Sequence, residues 1–361
     1  MTEPEEAISL QGAVCPIPLG HNQKIVLGHG SGGKMSRDLI SRLFMPAFDN
    51  PILRAGNDAG ISEHTSGLRL AISTDSHVVS PLFFPGGDIG KLAVCGTVND
   101  LAMMGAVPIW LTAGFILEEG LDLSILERVI LSMRLAAEEA NVQIVAGDTK
   151  VVQRGKADGL YVNTAGVGIL QPEIAIGGEK AKPGDVVIIS GYIGDHGIAV
   201  LSARGELGFE TNVESDTAPL NHLVSKMIRG DSIQDGTPIH VLRDPTRGGL
   251  ATSLNEIAQQ SNVAILIDEN QIPIRTEVAA ACEMLGFDPL YVANEGKLIA
   301  IVRRDSADQI LNDMHQTKYG ENARIIGEVR ETPQTRVLMR TTIGTTRIVD
   351  ILAGELLPRI C

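Results

Sequence analysis

The segment that most restricts the fold is "DIGKLAVCGTVNDLAMMG", residues 88–105, which has small or aliphatic side chains at most positions. At the period of an α-helix, this segment is apolar almost all round, and such a helix is stable only when it is buried. The sequence therefore predicts a helix over 88–105 that lies inside a domain.

Asn99 and Asp100 interrupt this apolar helix in its middle. An unpaired buried carboxylate costs several kcal/mol or takes up a proton, so Asp100 needs a cation, a metal ion or strong donors opposite it. An acid that caps a neighbouring helix or loop would meet the same requirement. Taken alone, Asp100 leaves both interpretations open.

Further aspartates follow predicted strands or turns, where side chains reach the rim of a sheet and ligands usually bind. They are Asp58 in "AGNDAGI", Asp75 in "ISTDS", Asp148 in "VAGDTK" and Asp244 in "LRDPTRGG". Carboxylates that converge there would repel one another unless divalent ions lay among them. Hard oxygen ligands of this kind suit magnesium, which bridges to substrate phosphates, so the pattern favours a site for metal-bound phosphate.

A glycine-rich loop, "GHGSGGKMSRDLI" over 28–40, leads into a predicted helix. Its backbone N–H groups would be free to bind an anion at the helix N-terminus. The spacing is not that of a Walker A loop, and glycine-rich loops alone are weak signals. An ordinary mobile lid therefore remains an equal alternative.

The length of 361 residues predicts two domains, at about 150 residues each. Strand-like and helix-like segments alternate in both halves, which indicates an α+β class. The boundaries we predict are an arm over 1–24, a first domain over 25–170, a second over 171–335 and a tail over 336–361. The predicted strands are 68–74, 142–148, 159–170, 185–190, 263–268, 297–302 and 323–329, and the further helices are 121–140, 195–206, 217–229, 248–261 and 305–315.

Charge and cysteine content exclude several classes of protein. A net charge of −14 disfavours non-specific binding to nucleic acid or to an anionic membrane. No apolar run is long enough to cross a bilayer and the start is acidic, so we predict a cytosolic protein. The four cysteines form no metal or disulfide pattern, and Cys95 and Cys282 are expected to be inert core residues. Cys361, the last residue, would be incidental if it were read alone.

A set of motifs spread over residues 25–361 resembles the HypE family of hydrogenase maturation factors, which are carbamoyl dehydratases. The motifs are "GHGSGGKMS", "NDAG", "STDSHVVSPLFFPGGDIGKLAVCGTVNDLAMMGA", "VAGDTKVV", "RDPTRGGLA", "NEGK" and "PRIC". This family belongs to the superfamily of aminoimidazole ribonucleotide synthetase, selenophosphate synthetase and thiamine-monophosphate kinase. The resemblance implies the two-domain α+β fold of that superfamily, with ATP and Mg²⁺ bound to the N-terminal domain and a homodimer in which the N-terminal sheets join.

The resemblance also implies site residues. The metal ligands would be Asp58, Asp75, Asp100 and Asp148, and the nucleotide would be bound by Gly30, Gly32, Gly33, Lys91, Asn99, Thr149 and Asp244. The catalytic residues would be Cys361, Lys150 and Glu295. Which of Lys150 and Glu295 acts as the base stays open, and Glu295 could instead simply pair with Lys297.

In this family the terminal cysteine receives a carbamoyl group from the carbamoyltransferase HypF and becomes a thiocarboxamide. ATP-dependent removal of water then gives a thiocyanate, whose cyano group passes to iron on the HypC–HypD complex for [NiFe]-hydrogenase assembly. A tail that swings between a cleft and a partner would make this possible. Arg359 could steer the tail or merely add charge.

Two other functions remain open. Selenophosphate synthetase needs a reactive cysteine in its glycine-rich loop; here that loop has none, and only Cys15 in the arm keeps this alternative. From a different class, the chain could be a carrier that binds ATP as a structural ligand and uses Cys361 only to hold a cargo.

Overall fold

The computed structural model describes residues 25–30, 33–63, 67–205, 211–229, 237–351 and 359–361. The strands are β1 Gly60–Glu63, β2 Arg69–His77, β3 Phe83–Phe84, β4 Gly87–Asp88, β5 Val107–Glu118, β6 Gln143–Val152, β7 Leu160–Leu170, β8 Val186–Ile189, β9 Ile239–Arg243, β10 Ala264–Asp268, β11 Ile299–Val302, β12 Arg324–Arg330, β13 Arg336–Arg340 and β14 Thr346–Val349. The α-helices are α1 Lys34–Leu39, α2 Met45–Phe48, α3 Pro51–Arg54, α4 Ile89–Met103, α5 Leu123–Ala140, α6 Asp195–Ala203, α7 Asn221–Arg229, α8 Gly249–Gln260, α9 Thr276–Leu285 and α10 Ala307–His315.

The N-terminal domain is a five-stranded sheet in the order β1-β2-β7-β5-β6, with α4 and α5 against one face. Only β5 and β6 pair in parallel. Asp88 caps helix α4, because its side chain accepts hydrogen bonds from the N–H groups of Gly90 and Lys91, and the helix ends at Met103. Nearly all of its side chains are buried, which confirms the prediction of an internal helix.

The C-terminal domain is a seven-stranded mixed sheet in the order β14-β13-β10-β12-β8-β11-β9. Its central strands are buried on both faces because side chains alternate along a strand. Val187 and Ile189 of β8 face α8, whereas Val186 and Ile188 face α7 and α10. Two apolar layers therefore enclose the sheet, and the predicted α+β class is confirmed.

Residues 336–349 correct the predicted tail. β13 pairs in parallel with β10, and β14 pairs with β13 at the edge of the C-terminal sheet. Val337, Met339 and Val349 are buried in its core, and their alternation with exposed residues is too short a signal to separate from an irregular tail. Only residues after Val349 can belong to a tail, and of these 352–358 lie outside the described residues, as does the predicted arm over 1–24.

Two aspartates lie within strands instead of at their ends. Asp75 pairs with Thr164 inside β2, and Asp148 pairs with Gly114 inside β6. The prediction ended these strands at the first polar residues, but backbone pairing continues past them because a strand can keep one solvated face.

Cys95 and Cys282 are buried in apolar surroundings, as expected, and burial raises the pKa of the Cys282 thiol to about 11. No helix within the described ranges is both long and apolar enough to cross a membrane.

Candidate active site

Four carboxylates meet where the two domains face each other. Asp58 precedes β1, Asp75 lies in β2, Asp100 lies in α4, and Asp244 follows β9 of the C-terminal domain. The Ser73 hydroxyl donates to the Asp100 carboxylate at 2.5 Å and approaches the Asp58 carbonyl at 3.3 Å. The structure therefore brings together four of the predicted acids, Asp58, Asp75, Asp100 and Asp244.

The electrostatics of this acidic cluster (Asp58, Asp75, Asp100 and Asp244) are unfavourable for four negative charges. Burial raises the pKa of Asp100 well above its ordinary range, and the nearby Asp244, Asp75 and Asp58 raise it further. Burial, followed by the Asp58 charge, raises the pKa of Asp244 to about 8. A bound cation would remove this repulsion, since opposite charge favours the ionised form of a carboxyl group.

The acidic cluster has the ligand chemistry of a magnesium site but is not arranged as one. Among the described residues, no group of three or more His, Cys, Asp or Glu side chains is placed to hold a metal ion. The guanidinium of Arg243 lies 2.6 Å from Asp58, and Ser73 engages Asp100. The hard oxygen donors fit Mg²⁺, provided that Arg243 releases Asp58.

The last three residues, Arg359, Ile360 and Cys361, are docked against both domains. The backbone N–H groups of Val78 and Ser80 donate to the carbonyls of Cys361 and Arg359, at 3.1 and 3.2 Å. The Ile360 side chain is buried in the core that also contains α4 and α6. The terminal cysteine therefore lies beside the acidic cluster.

The Cys361 thiol lies close to the Glu295 side chain. Burial raises the pKa of the thiol, while the nearby Arg247 charge lowers it, and Arg247 in turn has its pKa raised chiefly by Cys361. Arg247 also donates to the carbonyl of Gly30 at 3.1 Å, so one cation links the glycine-rich loop to the cysteine.

Glu295 is fixed through its backbone, which leaves its carboxyl group uncommitted. Its N–H donates to Asp216 at 3.0 Å, and Lys297 pairs with Asp216 at 3.3 Å. Oε1 of Glu295 has no hydrogen-bond partner among the described residues. Burial, followed by the charges of Asp75 and Asp244, raises the pKa of Glu295 well above its usual value. The alternative of a Glu295–Lys297 pair is therefore not found, because Asp216 takes Lys297.

Asn99 has a positioning role where nucleotide binding was predicted. Its amide nitrogen lies 3.1 Å from the Ala218 carbonyl and 3.4 Å from that of Glu295, and its oxygen accepts from the Leu220 N–H at 2.8 Å. With these contacts and almost no exposed surface, Asn99 joins α4 to the C-terminal domain and is not presented to a ligand.

Asp148, Thr149 and Lys150 do not reach the acidic cluster of their own chain. They are exposed on β6, where Lys150 lies 3.6 Å from Asp148. Strand β6 is separated from β2 by β7 and β5, so three strand spacings place Asp148 about 14 Å from the row of Asp75. Asp148 and Lys150 therefore lie away from the acidic cluster of their own chain, and their metal and catalytic roles stay predictions.

The remaining predicted nucleotide ligands are dispersed. Lys91 donates to the Gly86 carbonyl at 3.0 Å and lies nine residues before Asp100 on α4, or about 13 Å along the helix axis. Gly33 begins α1, which confirms the predicted loop-to-helix transition, and Gly32 lies outside the described residues. Within the described part of the glycine-rich loop, Gly30 contacts Arg247 of the cleft through its carbonyl.

Sequence reasoning did not assign Arg247, His196 or Asp216. Arg247 stands in "RDPTRGG", where a cation beside a strand-end aspartate and a helix-starting Gly-Gly is itself typical of an anion site. His196 and Asp216 gave no such signal, because their partners are far away in the sequence.

The chain matches known proteins over both domains. Residues 56–170 match the family model described as AIR synthase related protein, N-terminal domain, and residues 182–340 match its C-terminal domain. The carbamoyl dehydratase HypE of Cupriavidus necator is 53% identical over 338 residues, which cover 94% of this chain and 95% of that protein. A solved HypE–HypF complex has a TM-score of 0.81 and 50% identity, covering 87% of this chain and 99% of that one. A solved HypE in complex with ATP has a TM-score of 0.77 and 50% identity, covering 94% of this chain and 100% of that one.

Proposed function

Because this chain belongs to the HypE carbamoyl dehydratases, within the AIR synthase related proteins, we propose that it dehydrates a thiocarboxamide on its own Cys361 to a thiocyanate. It is an ATP-dependent dehydratase with a role in hydrogenase maturation. The observation that carries the proposed chemistry is the placement of the Cys361 thiol next to Glu295, beside four clustered carboxylates. A covalently attached substrate would thus already lie next to a base and a phosphate site.

The acidic cluster is the proposed phosphate site. Asp58, Asp75, Asp100 and Asp244 would hold Mg²⁺, and Arg243 would turn from Asp58 towards Glu256, which it already approaches at 3.7 Å. Bound there, magnesium supplies positive charge that stabilises a phosphoryl group during transfer. Arg247 would add a second cation between the glycine-rich loop and the sulfur.

The proposed reaction is a phosphoryl transfer followed by an elimination, and the nitrogen loses one proton in each step. The amide oxygen of –S–C(=O)–NH₂ attacks the γ-phosphorus of ATP, ADP leaves, and the nitrogen loses its first proton to give –S–C(OPO₃²⁻)=NH. The nitrogen then loses its second proton as the C–O bond breaks, which yields –S–C≡N and phosphate. Phosphorylation is needed because an amide oxygen is otherwise a very poor leaving group.

Glu295 is the proposed acceptor of these protons. A glutamate with its usual pKa is too weak a base for an amide nitrogen, whereas a raised pKa brings it closer to the working range of a general base. Cations bound at Asp75 and Asp244 would offset the charges of these two aspartates, which favours the ionised carboxylate. Burial, the largest cause of the raised pKa, would remain and keep the pKa above its usual value.

A homodimer would give Asp148, Thr149 and Lys150 a role. They lie on the edge strand β6, and the sheet face away from α4 exposes apolar side chains, including Ile72, Trp110 and Ile116. Lys150 pairs directly with Ile116 and so shares this face. We propose that a second copy packs on this face and that Lys150 acts on the substrate of that copy.

The proposed partners are the protein that loads Cys361 before dehydration and the protein that accepts the cyano group afterwards. A carbamoyltransferase of the HypF type would load Cys361, and a complex of the HypC–HypD type would take the cyano group. Both partner proteins need the sulfur outside the cleft. The docked position of the tail therefore corresponds to the dehydration step of the cycle.

The test is intact-mass spectrometry of the protein after incubation with the carbamoyltransferase system, with and without MgATP. We expect a gain of one carbamoyl group at Cys361, followed by loss of one water only when MgATP is present. Cys361→Ala should stay unmodified. A carbamoylated protein that never loses water would instead identify a carrier, and an unchanged mass would exclude both functions.

A further inference from the structure

The docked tail lies in a groove formed by Val78, Ser80, His196 and Arg204, which contacts the tail backbone and the side chain of Ile360. Arg204 donates to the Arg359 carbonyl at 2.9 Å and to the Ser80 carbonyl at 2.8 Å, beside the two backbone hydrogen bonds from Val78 and Ser80. The Arg359 guanidinium pairs with Asp158, and Ile360 is 4% exposed. The tail therefore docks through its main chain and one aliphatic anchor.

The innermost contact of the groove is made by His196, which is fully buried in the first turn of α6. Its Nε2 lies 2.8 Å from the Ile360 carbonyl, and its Nδ1 lies 2.8 Å from Ser215 Oγ. A carbonyl oxygen can only accept, so Nε2 must carry a proton. Burial lowers the pKa of His196, which favours the neutral ring and makes Nδ1 an acceptor.

A directed chain of hydrogen bonds follows from this tautomer. Ser215 donates its hydroxyl proton to His196 Nδ1 and accepts from the Thr217 hydroxyl at 2.7 Å and from the Thr217 N–H at 3.1 Å. Ser215 is itself pressed against Gly86, where a Cβ would lie 2.6 Å from its N and O atoms. The hydrogen bonds in such a chain polarise one another, and the close contact with Gly86 fixes the position of Ser215.

From this geometry we infer that His196 is a positioning residue that sets how deeply the tail enters, and so places the sulfur of Cys361 against Glu295. The inference deepens the proposed function. His196 holds the carbonyl one residue before Cys361, and a slip of one residue would move the chain by about 3.3 Å and turn the cysteine to the opposite side. The ligand of the groove is thus a C-terminal peptide with an aliphatic penultimate residue.

The first measurement is the rate at which iodoacetamide alkylates Cys361 in the unmodified protein, assigned by peptide mapping in a Cys15→Ala background. His196→Phe removes the donor and leaves the Ile360 carbonyl unpaired, so we expect alkylation about tenfold faster than in the parent. His196→Gln, which retains an N–H donor, should lie between the two. His315→Phe is the matched control, because His315 also approaches a backbone carbonyl, that of Ala323 at 2.9 Å, away from the tail.

The second measurement separates positioning from general damage. In single turnovers, His196→Phe should slow dehydration of the carbamoylated protein about tenfold without slowing carbamoylation, since undocking exposes the sulfur to the transferase. Ile360→Ala should act in the same direction while leaving the groove unaltered. Equal alkylation and dehydration rates in His196→Phe and the parent would overturn the inference. If alkylation responds but even the parent never dehydrates, the proposed function fails and the docking role stands.

Discussion

Glu295 is held in place by hydrogen bonds to its backbone, so its carboxyl group is available to Cys361. Asn99 and Asp216 hold its carbonyl and N–H, Asp216 takes the neighbouring Lys297, and the carboxyl group faces the thiol. A buried acid without a cationic partner is unfavourable for stability. At the scale of single residues, this unfavourable placement supports the proposed catalytic role of Glu295.

Replacing Glu295 with glutamine tests that role. Glu295→Gln preserves the shape of the side chain but removes the base, so dehydration of the carbamoylated protein should slow at least about 100-fold while carbamoylation is unchanged. Single-turnover mass spectrometry measures both steps. Glu139→Gln is the control, since Glu139 pairs with Lys318 outside the cleft. A dehydration rate within about threefold of the parent would exclude Glu295 as the general base.

The acidic cluster should make stability depend on pH and on magnesium. The pKa of Asp244 is raised to about 8, so between its unfolded value and about pH 8 the folded state binds more protons than the unfolded state. The free energy of unfolding should therefore fall as pH rises from about 5 to about 8 in EDTA, and Mg²⁺ should offset the loss. Denaturant unfolding at several pH values measures this, and Asp244→Asn should flatten the slope. A slope that is unaffected by both changes would contradict a cation site here.

At the scale of elements, the position of α4 depends on a close approach to β7. A Cβ on Gly166 would lie 2.8 Å from side-chain atoms of both Leu101 and Thr97. We expect Gly166→Ala to lower the free energy of unfolding by about 1–3 kcal/mol through overpacking. Gly114→Ala on the neighbouring β5 is the control, because its Cβ would meet only the Asn163 carbonyl at 3.8 Å. Urea unfolding compares them, and equal stability of the two variants would refute this packing argument.

The elements that the sequence predicts well are those with a strong local signal. Helix α4 has an apolar surface and α5 an amphipathic one, and the central strands are continuous aliphatic runs. The strand ends at Asp75 and Asp148 and the edge strand β14 were predicted wrongly, because half-exposed strands carry polar residues. The convergence of Asp58, Asp75, Asp100 and Asp244 followed from their positions at strand ends, at turns or in a buried helix. The groove for the tail joins residues more than 100 positions apart, a pairing that local patterns do not encode.

At the scale of the whole molecule, one chain does not complete the predicted catalytic set. Cys361 and Glu295 meet in one cleft, but Lys150 is on the far edge of the N-terminal sheet, on a face with exposed apolar side chains. A symmetric dimer would cover that face and apply the same contact twice. If Lys150 of one subunit acts on the substrate of the other, mixed dimers should show an activity that is not expected when each subunit works alone.

Subunit complementation tests it. Glu295→Gln and Lys150→Ala should each be defective in dehydration, yet mixed and exchanged subunits should recover about a quarter of the parental activity, because half the dimers are mixed and each mixed dimer has one intact site. Single-turnover dehydration of the mixture, compared with the two variants unmixed, measures the gain, and a mixture of Glu295→Gln with itself after the same exchange is the control. Subunit exchange without any gain over the two separate variants would mean that Lys150 does not act across a dimer interface. The gain should disappear when both substitutions are placed in one chain and mixed with itself, since no combination of those subunits restores a site.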